Sequence, residues 1–190
     1  MVRYEKGHKE DTRRHILEVA GQRFRKDGIS GVGIAGIMSD ADLTNGAFYA
    51  HFDSKEDLVM CVLIDLLDKR EAHVTREIEQ GTALDEIIVR YLSPHHRDHP
   101  EKGCVSAALI SELAHHTEST QKAYTARLQT TFENLASRLV GDPLLREQKA
   151  IALFSMMMGA LQLARVTSNK TLSDRILTSA ATEAVALIKA

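Results

Sequence analysis

Apolar residues recur along this chain at helical spacing, and strand-like alternation is scarce. In a first helix expected over residues 9–26, Ile16, Ala20 and Phe24 repeat every four positions, with Leu17 and Val19 beside them. They form one apolar stripe, and the opposite face is basic. Asp27-Gly28 closes this helix, with Gly28 placed to take a left-handed C-cap conformation. A short helix is expected over residues 34–41, with Ile34, Ile37, Met38 and Ala41 turned inward. After an interruption at Asp42-Leu43, residues 44–52 read as a second short helix capped by Thr44. Ser54 then caps a fourth helix with acids in its first turn. Over residues 58–67 that helix is apolar almost all round, which predicts burial on most sides, and its continuation to residue 80 is polar. Gly81-Thr82 breaks the pattern. Further helices are expected over residues 83–92, 104–115, 119–140, 144–167 and 172–189, with residues 93–103 a polar loop. The reading is all-α, about nine helices: a three-helix N-terminal domain over residues 1–53 and a helical domain over residues 54–190.

The two short helices and their tight turn form a helix-turn-helix pattern. Small Ala35 suits a close crossing, Leu43 buries the corner, and Phe48 and Phe52 anchor the second short helix to the core. Its opposite face is then free for a DNA major groove. Thr44, Asn45, Ala47 and Ala50 fall there. Asn pairs with adenine in bidentate fashion, and Ala or a Thr methyl touches a thymine methyl. Gly46 lets backbone approach phosphate, while Tyr49, His51 and Lys55 carry polar tips suited to phosphate. Lys55 also stands at a helix N-terminus, which favours anions. Three plain core helices would use Phe48 and Phe52 equally well, but they do not require the cluster of Thr44, Asn45, Gly46 and Tyr49.

From Thr12 to about Leu58 the chain resembles the TetR-type regulators. The resemblance rests on Thr12-Arg13, Ile16-Leu17, Ala20, Phe24 and Gly28, on Ile34-Ala35, and above all on the unbroken stretch from Leu43 through Phe48-Tyr49 and Phe52 to Lys55-Glu56-Asp57-Leu58. It implies an all-helical homodimer whose first three helices meet double-stranded DNA at a palindromic operator. The last two helices would build the dimer interface, the helices between would enclose an effector pocket, and the fourth helix would transmit its state. Three positions depart from the common pattern. Asp42 replaces the usual turn Gly, Asn45 the usual Lys, and Gly33 leaves only backbone N–H for a phosphate where Thr or Ser is common.

Composition and charge refine this picture. A chain of 190 residues buries a core without disulfides or metal. Its two cysteines, Cys61 and Cys104, form no CxxC pair, which fits a reducing cytoplasm. No apolar run approaches the ~18–20 residues of a membrane span, and the first fifteen residues are too polar for a signal peptide, so a cytoplasmic protein without membrane contact is expected. Residues 1–26 hold eight Lys/Arg, among them Arg3 and Lys6, against four acids including Glu5. Residues 27–60 hold one base, Lys55, against six acids. The first sixty residues are therefore nearly neutral, which argues against strong non-specific DNA affinity but not against specific binding by a few placed groups.

In the second half, Phe154, Met157, Met158 and Leu161, with Leu177, Ala181, Ala184 and Ile188, form small-and-apolar stripes that a homodimer interface would bury. Leu63, Leu67, Tyr91, Cys104, Leu109, Leu113, Tyr124 and Leu128 are candidates for lining an effector pocket, or equally for plain core. Cys104 opens a helix after Lys102-Gly103, a setting that lowers a thiol pKa, so it is a candidate sensor of oxidants or electrophiles. Cys61 lies in an apolar run and is expected to be inert. His95, His96, His99, His115 and His116, with Glu112, lack a defined zinc spacing, and no metal or cofactor is expected. No nucleophile–base pair or phosphate loop points to an enzyme. The expected function is a DNA-binding transcription regulator, a repressor released from its operator by a small molecule. The alternatives are a Cys104-based redox regulator and, in a different class, a helical interaction protein that does not bind DNA.

Overall fold

A computed structural model describes residues 2–189, and among these residues there are ten α-helices, one 3-10 turn and no strand. The side chains of Arg3, Glu5 and Lys6, counted in the basic excess, lie outside the described residues. Helix α1 (Val2–Asp27) begins earlier than its apolar stripe, because polar helix-formers extend it without needing a buried face. Ile16, Leu17, Ala20 and Phe24 of α1 are buried. Gly28 ends it at φ +79°, its N–H bonded to the Phe24 carbonyl at 2.9 Å.

Helix α2 (Ile34–Asp40) stops in a Schellman motif. The Leu43 N–H reaches the Met38 carbonyl at 2.9 Å, and the Asp42 N–H reaches that of Ser39 at 3.1 Å. Asp42 carries the positive φ of 56° that this motif demands. Ala35 faces solvent rather than the helix crossing, which is filled by Ile37 and Met38. Helix α3 (Asn45–Phe48) is shorter than expected. Residues 49–51 continue as turns, tied by the His51 and Phe52 N–H groups to the Phe48 carbonyl at 2.9 and 3.0 Å. Thr44 takes the extended N-cap backbone, but its hydroxyl makes no capping bond.

Ser54 caps α4 (Lys55–Glu79) by accepting from the Asp57 N–H at 3.1 Å, and Asp57 reaches back to the Asp53 N–H, also at 3.1 Å. Only Leu58, Val59, Val62 and Leu63 of α4 are buried. Cys61, Ile64, Leu66 and Leu67 are half-buried, so the expected burial on most sides holds for the first two turns alone. Beyond them the helix runs along a cavity.

After α5 (Leu84–Tyr91), the expected loop is ordered into α6 (Pro94–Asp98) and a 3-10 turn (Pro100–Lys102). Ser93 caps α6, and Pro94 fits its first turn, where no N–H is needed. Buried Arg97 fastens α6 to the last helix through Ser173 Oγ (2.9 Å) and Asp174 (2.6 Å). Helices α7 (Val105–Leu113), α8 (Glu118–Ala136), α9 (Pro143–Val166) and α10 (Lys170–Lys189) complete the chain. Thr117 and Asp142 cap α8 and α9.

The apolar residues gather into two clusters. One joins α1–α4 to α7 and Tyr124 of α8; the other joins α5, α7, α9 and α10. The second cluster corrects the dimer stripe. Met157, Leu161, Leu177 and Ala184 are buried within this chain, because the small residues let α9 and α10 pack on each other. Phe154 stands edge-on to Phe132, with ring centroids 5.8 Å apart. Met158, Ala181 and Ile188 are half-buried. By length and composition α9 is apolar enough to cross a membrane, contrary to expectation, yet it packs against α7, α8 and α10.

Candidate DNA-binding face and effector cavity

Phe48 and Phe52, almost fully buried, pin α3 and the turn after it to the core. What remains outside is Thr44, Asn45, Gly46, Tyr49 and Ala50, all exposed, with Tyr49 showing 68% of its surface. Gly33 is exposed beside them and caps α2 with no side-chain bond, leaving the first backbone donors of α2 uncovered. The other three expected contacts sit differently. Ala47 is half-buried against the core, away from the free face. Lys55 donates through Nζ to the Ile29 carbonyl at 2.6 Å, so its ammonium braces the α1–α2 turn. His51 is partly buried with an unpartnered Nδ1; burial, then Lys9 and Arg13, push its pKa down, and the ring is neutral near pH 7. Lys9 and Arg13, which the sequence marks only as part of the basic face of α1, stand in electrostatic reach of His51. Arg13 stacks its guanidinium 4.9 Å above the Phe52 ring and donates to Cys61 Sγ at 3.1 Å.

Behind this face lies a cavity of about 80 Å³ between α4, α5, α7, α8 and α9. Of the expected lining residues, Leu67, Cys104, Tyr124 and Leu128 are there. Leu63, Leu109 and Leu113 are instead buried in the first core cluster, and Tyr91 lies behind the wall, on an adjoining cleft. Arg70, Glu71 and Asn134 in the lining fall on stretches of α4 and α8 that read as solvent faces, and Arg138 lies in the turn after α8. The hydroxyls of Ser106 and Tyr124 lie buried at the cavity, facing each other and no further protein partner. Burial raises the Tyr124 pKa, so it remains a hydrogen-bond donor.

Cys104 is 2% exposed and caps α7, with its N–H held by His96 Nε2 at 2.9 Å. Burial pushes His96 down to about 4, and it accepts this bond as a neutral ring. Arg25 and Arg165, rather than Lys102, are the cations in electrostatic reach of the thiol. Burial and then Asp57 raise the Cys61 thiol pKa, as suits an inert side chain. Among the described residues no group of three or more His, Cys, Asp or Glu side chains is gathered for a metal ion. Glu112 and His116 are otherwise engaged, as follows.

The cavity and the candidate DNA-binding face are joined by polar bonds. At one end of α7, Arg25 of α1 donates to the Gly103 carbonyl at 3.1 Å. At the other end, Glu112 accepts from the Ile29 and Ser30 N–H groups at 3.0 and 2.8 Å. Glu56, at the start of α4, accepts from His116 Nδ1 (2.7 Å), Thr117 Oγ1 (2.9 Å) and Thr120 Oγ1 (2.6 Å).

An exposed recognition segment on a buried aromatic anchor, attached to an all-helical body with an internal cavity, defines a two-part helix-turn-helix protein. Residues 16–60 match the family model described as bacterial regulatory proteins, tetR family. It is 38% identical to the probable transcriptional regulator ArpR of Pseudomonas putida over 85 residues, which is 45% of this chain and 40% of that relative's length. It is 24% identical to the transcriptional repressor NemR of Escherichia coli over 83% of this chain and 85% of NemR. The crystal structure of reduced E. coli NemR superposes with a TM-score of 0.75 at 22% identity, covering 92% of this chain and 95% of that one.

Proposed function

We propose that the protein is a transcription regulator that binds a palindromic operator as a homodimer and is released by a small-molecule effector held in the cavity. The observation that carries this reading is the exposed face of Thr44, Asn45, Gly46, Tyr49 and Ala50 on an anchor buried for stability alone. Two copies place two such faces in successive major grooves, ~34–36 Å apart. The buried stripe of α9 and α10 is spent inside the chain, so the dimer uses their outer side. Exposed Ile151, Leu163, Val166 and Leu172 lie there, and Gly159 has open space above it. The N-terminal domain ends near residue 53, and the cytoplasm is the setting for DNA binding. An effector that enters between α4 and α7 presses on both elements that grip the first three helices. It therefore favours a spacing of the recognition segments that no longer matches the operator.

The test is binding of the purified protein to the DNA flanking its own gene, at two salt concentrations. Asn45→Ala and Tyr49→Ala are expected to weaken specific binding by about tenfold each, as loss of a base or phosphate contact does. Their melting temperatures should not move, since both side chains are exposed. Specific binding that survives both substitutions undiminished refutes the assignment of this face.

A second reading concerns how the effector acts. Cys104 lines the cavity with Arg25 and Arg165 in electrostatic reach. That is the electropositive setting in which a cysteine reacts with oxidants or electrophiles. If it does so, alkylation monitored by mass should select Cys104 over Cys61 and release DNA, and Cys104→Ser should bind DNA but no longer respond.

A further inference from the structure

The cavity does not end at its apolar wall. It shares Arg70, Val74 and Ile87 with a second cleft of about 220 Å³ that opens toward α6 and the 3-10 turn. The two spaces differ in chemistry. The inner chamber is walled by side chains such as Val74, Ile78, Leu84, Leu128, Leu135 and Phe154. The outer cleft carries Arg70, Arg90 and Lys102, four histidines and a single acid, Glu77.

The charges at the junction are not balanced. Glu77 is held by Arg90 at 2.5 Å and His73 at 3.4 Å. Glu71, the one acid of the chamber, accepts from Asn134 Nδ2 at 2.5 Å. Among the described residues no carboxylate lies within ion-pair distance of Arg70 or Lys102. Arg70 sits over the Tyr91 ring, 5.2 Å from its centre, at the boundary of the two spaces. Tyr91 is buried, with its hydroxyl against the Cys104 thiol, and burial keeps it protonated. An apolar chamber that opens onto unpaired cations suits a ligand with opposite ends.

We infer that the effector is an amphipathic anion, with an apolar body in the chamber between α4, α5, α7, α8 and α9 and a carboxylate head at Arg70, within reach of Lys102. This deepens the effector reading above and rests on it. A cationic amphiphile finds both nearby acids already engaged, and a neutral one leaves Arg70 unused. The head binds on one side of Arg70 and the body on the other, so the α4 residue that separates the two spaces is the one the ligand grips.

The experiment is isothermal titration of the full chain, without DNA, with three probes of equal chain length: octanoate, octanol and octylammonium. Because no operator is present, its result is independent of whether the DNA-binding reading holds. Octanoate is expected to bind at least about tenfold more tightly than the other two, the worth of one charge-assisted hydrogen bond. Arg70→Gln should remove that preference, bringing octanoate binding down to the level of octanol. Lys102→Gln, on an exposed turn where folding is not at stake, should weaken octanoate by a smaller factor. Equal binding of the three, preference for octylammonium, binding of none, or an octanoate preference that survives Arg70→Gln would each overturn the inference.

Discussion

Replacing Glu56 by Gln tests the junction between the start of α4 and the turn from α7 to α8 through its pH dependence. Burial alone pushes this carboxyl's pKa up. Hydrogen bonds from Thr120, His116 and Thr117 outweigh burial and hold it at about 2, against an ordinary value of 4.5. The folded form therefore prefers the carboxylate more than the unfolded form does. Its contribution is complete above about pH 5 and is lost as pH falls from the ordinary value toward 2. A shift of this size corresponds to about 3 kcal/mol if taken at face value. The side chain is 33% exposed, however, and solvent screening reduces the contribution to roughly 1–2 kcal/mol. Urea denaturation of the wild type and Glu56→Gln at pH 7 should differ by that amount, which for a chain of this size is a few degrees in melting temperature. At pH 3 the gap should shrink to less than half. A gap that is the same at both pH values would show that shape, not charge, governs the site. No gap at pH 7 would show that the junction contributes nothing to stability.

Other substitutions test separate links. Asp42→Gly should stabilise the protein by about 1 kcal/mol in thermal denaturation, because Gly accepts the left-handed conformation without the steric penalty of a side chain. Operator affinity should stay the same. Gly28→Ala should cost roughly 2 kcal/mol or more, since a Cβ there meets both φ +79° and the Glu112 carboxylate at 2.8 Å. Combining it with Glu112→Ala should cost less than the sum of the two, as a double-mutant cycle will read. Val166→Glu, at a side chain 79% exposed on α9, should leave the monomer folded but shift sedimentation from dimer to monomer.

The helix-turn-helix was legible because its signals are local. Gly28, Asp42, Ser54 and the Phe48/Phe52 pair each announce a cap, a turn or an anchor within a few residues. The errors arose where a decision depends on distant partners. The stripe of Met157, Leu161, Leu177 and Ala184 is apolar whether it meets a second copy or the neighbouring helix of the same chain, and nothing in its spacing separates the two. Helix α6 was missed because five residues are too few to show a period, although Ser93-Pro94 is a helix start in miniature. The cavity residues Arg70, Glu71 and Asn134 look like solvent-facing positions, since a polar residue on a pocket wall and one on a surface leave the same trace in a sequence.

The same distinction bears on how the two halves communicate. A fourth helix that alone carried the signal would need to be gripped by the ligand and to grip the first three helices, and α4 is placed for both: Leu67 and Arg70 line the cavity and its first turns are buried. Yet α7 meets the same conditions in nine residues. Cys104 and Ser106 face the cavity at its start, Arg25 holds the preceding carbonyl, and Glu112 at its end holds two N–H groups of the turn between α1 and α2. Both carboxylate junctions, Glu56 and Glu112, are charge-assisted and partly exposed, which makes them strong enough to set an angle and weak enough to yield to a ligand. On the function proposed above, an effector that separates α4 from α7 would act on the recognition segment from two sides. A substitution that frees only one of them, such as Glu112→Gln, should reduce effector release without abolishing it. If titration of operator complexes shows that Glu112→Gln releases as readily as the wild type, α4 carries the signal alone.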